Sequence, residues 1–344
     1  MCGIMGWTQF GPKVQRLFPV LAIEMERRGS TSWGTTNGLS LTKKLGGISH
    51  TLTMDWLEWP REEGHIFHTR APSGGTGRTV ECAHPFHFHK QVGEVDGLPR
   101  LRHITGIHNG YISGGTELVK KYPDRVGFDV DSMHAFKHIL DDLPTSELGG
   151  SGALAWYETY TIGDPHNTEA IVVESNELNL LRFNTTDLHI GKLIEEDGST
   201  VWVFASTKDA IEKAARLAGV TIEEFKTIDS NKQYRLTVNG PEFVKDMEFG
   251  TGSRTTYSHH GGYSADGRYI APGEYYAGGT SGFQRGSGSS YGGSISKNES
   301  RPKVNVDKCP LCETADIMPE MQVVCEDCYF HLMMPYVTQL NANS

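Results

Sequence analysis

Apolar positions fall at helical spacing over residues 13–27, where Val14, Leu17, Phe18, Leu21, Ala22 and Met25 share one face. Pro19 lies inside that run, which predicts a kink or a later first turn. Arg27-Arg28-Gly29 predicts a cationic last turn closed by a glycine cap. A second helical pattern covers 131–143, with Met133, Phe136, Ile139, Leu140 and Leu143 in phase behind Asp131 as N-cap. A third covers 207–218, introduced by Ser206 with Asp209 three residues on, in capping-box register. Between them the pattern changes to alternation and short apolar runs. These predict strands over 2–8, 37–43, 64–70, 101–108, 152–160, 169–174, 178–183 and 200–205, and a strand pair near 225–238. Residues 30–34 read as a polar turn, 71–82 as a glycine-rich loop, and Asn109-Gly110 as a hairpin turn. The order of elements predicts an α+β domain with helices packed on both faces of mainly antiparallel sheets.

The pattern stops near residue 249. From 250 to 302 there are thirteen glycines, ten serines and six tyrosines with few aliphatic residues, so this stretch cannot bury a core and reads as a linker. Residues 303–344 form a third segment around Cys309-Pro-Leu-Cys312 and, twelve residues on, Cys325-Glu-Asp-Cys328. Two CxxC pairs supply the four thiolates of a tetrahedral structural zinc site, with no open position for catalysis. The expected organisation is thus a domain at 2–248, a linker at 249–302 and a four-cysteine zinc module at 303–344.

Charge narrows the partners. The net charge is −10, and after residue 302 two lysines face six acidic residues. Both speak against nucleic acid and anionic membranes, and the tail reads as a protein-docking or folding element. No run of about 18 apolar residues occurs, and the N-terminus lacks the layout of a signal peptide. The expected compartment is the cytoplasm.

Candidate chemistry starts at Cys2. Trimming of Met1 would leave this cysteine N-terminal, carrying a thiol nucleophile and, in its own α-amine, a base with an unperturbed pKa of about 7.7–8.0. Acyl transfer by such a thiol needs donors for a tetrahedral oxyanion and groups to hold the substrate. Asn109 and the Gly110 amide can donate. Arg70, at a strand end and followed by a loop containing Ser73, suits a carboxylate. Asp131, at a helix start, suits an ammonium, so the pair matches the zwitterionic head of an amino acid. Cys82 reads as packing.

Cys2-Gly3-Ile4, Arg28-Gly29-x-x-Ser32-x-Gly34, His68-Thr69-Arg70, Ala83-His84-Pro85-Phe86, His108-Asn109-Gly110 and Asp131 occur in this order. Together they resemble the class II glutamine amidotransferase domain, an N-terminal-nucleophile (Ntn) hydrolase, over residues 2 to about 240. The resemblance implies a four-layer αββα sandwich and hydrolysis of the glutamine side-chain amide through a γ-glutamyl thioester on Cys2. It implies an oxyanion hole from Asn109 and Gly110, binding of glutamine by Arg70 and Asp131, a pocket shaped by Ser73 and His84, and Arg28 orienting the N-terminus. Thr31, where the family commonly has Asp, and Ala71, where it often has a bulky aromatic, are departures. Familiar members carry an ammonia-using domain behind the glutaminase. Here only a linker and a zinc module follow, so a partner protein is expected to hold the acceptor site. The alternatives are a free-standing hydrolase of γ-glutamyl amides and a non-catalytic binding or regulatory protein on the same fold.

Overall fold

The computed structural model describes residues 2–51, 59–60, 63–71, 79–163 and 171–250. Ser73, nearly all of the expected linker, and the tail with Cys309, Cys312, Cys325 and Cys328 lie outside the described residues.

Two antiparallel sheets make up the domain. The first has the order β11 (Glu224–Thr227), β9 (His189–Ile194), β10 (Thr200–Ala205), β1 (Gly3–Trp7), β4 (His65–Arg70), β2 (Ser32–Thr36), β3 (Leu41–Leu45). The second runs β13 (Gly240–Asp246), β12 (Lys232–Thr237), β8 (Val172–Phe183), β7 (Gly149–Ile162), β6 (Leu98–Ser113), β5 (Phe86–Val95).

Strand alternation sorts the side chains into layers. Ile4, Ile66 and Phe204 of the first sheet meet Ile107, Ala155 and Leu180 of the second in a core between the sheets. Phe67, one residue on from Ile66, points the other way, and its ring lies 4.9 Å from Phe18 of α1 (Pro12–Glu26). The helix α5 (Lys208–Ala218) packs beside α1 on that same outer face. On the far side, α4 (Asp131–Asp141) lies on β5 and β6, with Phe136 in a core shared with Trp156 and Phe183. Two short helices, α2 (Ile48–Thr51) and α3 (Gly115–Lys121), complete the described elements of this type. The expected sandwich of helices outside and antiparallel sheets inside is present. Among the described residues no helix is long and apolar enough to cross a membrane.

Several local expectations fail. The helix at 12–26 continues through Pro19, which is buried with Phe18 and Val20. Packing of the apolar face offsets a proline penalty of roughly 3 kcal/mol. Gly29 is not a left-handed cap. Arg27 ends the helix in right-handed conformation, and a Cβ on Gly29 would overlap the Arg70–Ala71 backbone. The strand expected at 37–43 is a connection at 37–40 followed by the start of β3, and the polar turn at 30–34 is largely β2. Residues 172–174 of the first run and all of 178–183 fall on the single strand β8, and β5, β9 and β13 were not foreseen. Asn109-Gly110 is no turn: it lies inside the sixteen-residue β6.

Candidate active site

Cys2 stands just before β1, whose first residue Gly3 pairs with Thr69 of β4. That register carries Cys2 to the end of β4, where Arg70 closes the strand and Ala71 leaves the sheet. The thiol donates to the Ala71 carbonyl at 3.6 Å, and the Cys2 carbonyl accepts from Arg28 Nε at 2.9 Å. Arg28 thus ties the N-terminal segment to the end of α1. Burial pushes the Cys2 thiol pKa up and nearby Asp131 adds to the rise; the Ala71 hydrogen bond and the Arg70 guanidinium oppose it. A thiol so placed stays protonated at neutral pH and needs a base to become a nucleophile. Arg70 itself is only 3% exposed.

The facing sheet contributes Asn109 and Gly110. Asn109 is buried, and its Nδ2 donates to Ser206 Oγ at 3.4 Å. The same hydroxyl oxygen accepts the Ile4 amide at 3.0 Å, while the Ser206 amide donates to the Ile4 carbonyl at 3.0 Å. Ser206 therefore joins the strand that carries Cys2 to the strand that carries Asn109. Gly110 has φ +150°, and a Cβ there would overlap the Ser151 carbonyl oxygen of β7. Only glycine fits so close to the neighbouring strand.

Asp131 opens α4, with Val130 rather than Asp131 at the N-cap position. Its Oδ2 accepts the Ile112 amide at 2.6 Å and its Oδ1 the Ser132 amide at 2.9 Å. The carboxylate is thereby locked to the end of β6. With about four acceptor positions on two oxygens, it retains capacity for an ammonium. Ser132 Oγ bonds His108 Nδ1 at 2.8 Å, and the His108 carbonyl bonds His68 Nε2 at 3.1 Å. The His68 ring packs on that of His84 at 4.0 Å between centroids. Burial pushes His68 down to about 3, and holds His84 and His108 below the ordinary histidine value as well. All three rings are neutral at pH 7. Among the described residues, neither ring nitrogen of His84 has a hydrogen-bond partner.

Cys2, Arg28 and Arg70 thus converge on the shared end of β1 and β4. Asn109 is tied to β1 through Ser206, and Asp131 is close enough to influence the Cys2 thiol electrostatically. His84 is linked to this region through His68. Cys82 is 5% exposed in the α4-side core, a packing position. Sequence reasoning missed Ser206, which it assigned to helix capping. The structure starts α5 one residue later, with Thr207 at the N-cap and no side-chain cap hydrogen bond. It also missed the His68–His108–Ser132 chain. The spacing of His68 two residues before Arg70 and His108 directly before Asn109 was the available signal.

No family model matches the chain, and no curated protein does. Solved structures do. Glutamine phosphoribosylpyrophosphate amidotransferase from B. subtilis, complexed with ADP and GMP, is 19% identical with TM-score 0.47, over 71% of this chain and 49% of that one. A structure described as the allosteric regulatory enzyme of purine biosynthesis is 18% identical with TM-score 0.49, over 71% and 49%. A glutamine aminotransferase class-II domain protein from Silicibacter pomeroyi is 11% identical with TM-score 0.33, over 72% and 100%. The chain spans about half the length of the first two. At these identities and scores, the functional reading rests on the residues gathered around Cys2.

Proposed function

We propose that the chain is a glutaminase of the class II amidotransferase type, which hydrolyses the side-chain amide of glutamine and passes ammonia to a partner protein. The observation that carries this reading is the position of the Cys2 thiol. It lies at the end of β4 beside Arg70, with Asn109 linked to the neighbouring strand β1 through Ser206.

In this reading Met1 is removed and the Cys2 α-amine takes the thiol proton. The sulfur attacks the amide carbon, and the negative charge on its oxygen is held by Asn109 Nδ2 and the Gly110 amide. The amine then delivers the proton to the leaving nitrogen. The C–N bond breaks, ammonia departs, and a γ-glutamyl thioester remains. Water, giving a proton to the same amine, attacks the thioester and releases glutamate, and the sulfur recovers its proton. Arg70 holds the α-carboxylate by a bidentate contact and Asp131 the α-ammonium. Ser73 and His84 complete the pocket, and Arg28 fixes the Cys2 backbone so that amine and thiol face the substrate. The four tail cysteines hold one structural zinc, with tail and linker serving partner docking.

A glutamine analogue with a diazoketone in place of the amide tests the chemistry without a partner. After intact mass shows Met1 removed, one analogue should attach per chain at Cys2, and none to Cys2→Ala. Failure of the trimmed chain to be labelled, together with no glutamate release from glutamine, overturns the proposal. Turnover of substituted γ-glutamyl amides in preference to glutamine would favour the free-standing hydrolase. A biological effect that survives Cys2→Ala would favour a binding role. Metal analysis of freshly purified reduced chain, compared with a Cys309→Ser/Cys312→Ser variant, tests the tail zinc.

A further inference from the structure

On the second sheet, the edge strand β5 carries histidines at alternate positions. Phe86 and Phe88 face α4 and join the helix-side core. His87 and His89 therefore lie on the opposite face, and both are exposed. His89 pairs directly with His103 on β6, while His87 pairs with Thr105. One ring nitrogen from each of His87, His89 and His103 lies within 4.8 Å of the others. Two of the rings are held in place by hydroxyls: His87 Nδ1 bonds Thr105 Oγ1 at 2.8 Å, and His103 Nε2 bonds Thr161 Oγ1 at 2.9 Å.

We propose that His87, His89 and His103 form a three-imidazole site for a divalent transition metal of the zinc class, with a water molecule as the fourth ligand. Imidazole suits zinc, cobalt, nickel and copper rather than magnesium or calcium. Three neutral nitrogens with an open fourth position form a known zinc arrangement. The geometry needs little adjustment. Zn–N bonds of about 2.0–2.1 Å in a tetrahedron put nitrogens roughly 3.3–3.4 Å apart, so each nitrogen moves inward by roughly 0.8 Å at most. Rotation about χ1 and χ2 of two exposed side chains supplies that. The ring centroids stand 5.4 to 5.8 Å apart, with interplanar angles of 27° to 36°. The threonines do what outer partners of metal-bound histidines do. A ring nitrogen that gives its N–H to threonine fixes the tautomer and leaves the other nitrogen's lone pair for the metal. A bound ion would also clamp the β5 edge to β6, where, among the described residues, no strand pairs with the outer side of β5.

The tail cysteines are a second place for zinc, so the test separates the two on the full chain. Equilibrium dialysis against micromolar free zinc, followed by metal analysis, compares the unmodified chain with His89→Ala and with Cys309→Ser/Cys312→Ser. The unmodified chain should hold one zinc more than His89→Ala, and the cysteine variant should retain that ion. Thr161→Ala should weaken it by about tenfold or more while leaving three imidazoles in place. Equal zinc content in His89→Ala and the unmodified chain overturns the site. Histidine-ring NMR on the unmodified chain needs no substitution: zinc should shift the rings of His87, His89 and His103, and a titration that leaves them unmoved also overturns it.

Discussion

Replacing Ser206 with alanine removes one buried oxygen and leaves two donors from different sheets without their acceptor. The Ile4 amide loses a 3.0 Å bond and Asn109 Nδ2 a 3.4 Å bond, both buried. A buried donor left unsatisfied costs about 1–3 kcal/mol. The Ile4 loss is the heavier of the two, since its bond is shorter and a backbone N–H cannot turn away, whereas the Asn109 amide can rotate. A net destabilisation of about 1–3 kcal/mol lowers Tm by roughly 2–12 °C for a domain of this size. The catalytic effect has a different signature. Ser206 does not face glutamine in the proposed complex, so it is a positioning residue. Its loss frees the Asn109 side chain from the orientation that aims it at the oxyanion, and a missing oxyanion donor costs about 10²–10³ in kcat. Arg70 and Asp131 are untouched, so KM for glutamine should stay within a few-fold of its original value. Thermal melting and glutamate release, measured on chain with Met1 confirmed removed, separate the two effects. Ser206→Thr keeps the hydroxyl and should recover most of both. If Ser206→Ala melts like the parent and retains kcat, the hydroxyl does not join the sheets in the way described. If kcat falls only in proportion to the unfolded fraction, Ser206 is structural and the link to Asn109 is refuted.

Two further outcomes follow from backbone and burial. Gly110→Ala combines a strained φ, about 1–3 kcal/mol, with an overlap on the Ser151 carbonyl, about 1–3 kcal/mol, so a loss on the order of 2–6 kcal/mol is expected. A Gly110→Ala chain that melts within a degree or two of the parent would contradict the β6–β7 geometry. Burial holds His65 and His68 down to about 3, against about 6.5 in an unfolded chain. The folded state therefore binds fewer protons, and stability is full above pH 6.5 and lost as pH falls toward 3. At pH 5 each contributes a loss of about 2 kcal/mol, being 1.5 units at 1.36 kcal/mol per unit. Melting scans from pH 7.5 to 5 should show that slope, and His65→Phe, which keeps a ring against Trp59, should reduce it by about half.

Periodicity exposed what depends on a single face meeting a single core. The helices at 12–26, 131–141 and 208–218 and the strand at 200–205 were legible because each buries a repeating apolar set. The strands that escaped notice, β5, β9 and β13, lie at or near sheet edges, and their apolar residues are few: Phe86 and Phe88 of β5 and Ile190 and Leu193 of β9 reach a core, while β13 is largely exposed. His87, His89 and Lys90 of β5 look like loop residues when read singly. Their strand is fixed by pairing with β6, which is non-local information. Cys2, Arg70, Asn109 and Asp131 stood out in the sequence as candidate chemistry. Their convergence could not be read from spacing, because it requires β1 and β4 to pair across sixty residues and the second sheet to lie over them.

Asn109-Gly110 and Ser206 show where local rules yield to the tertiary fold. Asn-Gly is a strong turn signal because both residues tolerate positive φ, and Gly110 does adopt one. The positive φ lies inside a strand, however, and serves close approach to Ser151 rather than chain reversal. Ser206 sits where a capping serine should, yet a capping bond can be supplied by water at an exposed helix end, whereas the buried Ile4 amide has no such substitute. The hydroxyl goes where its absence would be most costly. The same ordering explains Gly29: its missing Cβ admits the Arg70–Ala71 backbone instead of ending α1. Gly29 and Ser206, each with a cheap local use, serve contacts at or close to the end of β1 and β4 where Cys2 lies, and Asn109, next to Gly110, bonds Ser206. A small set of misplaced local signals around one exceptional thiol is therefore itself a pointer to a site, one that neither composition nor periodicity supplies.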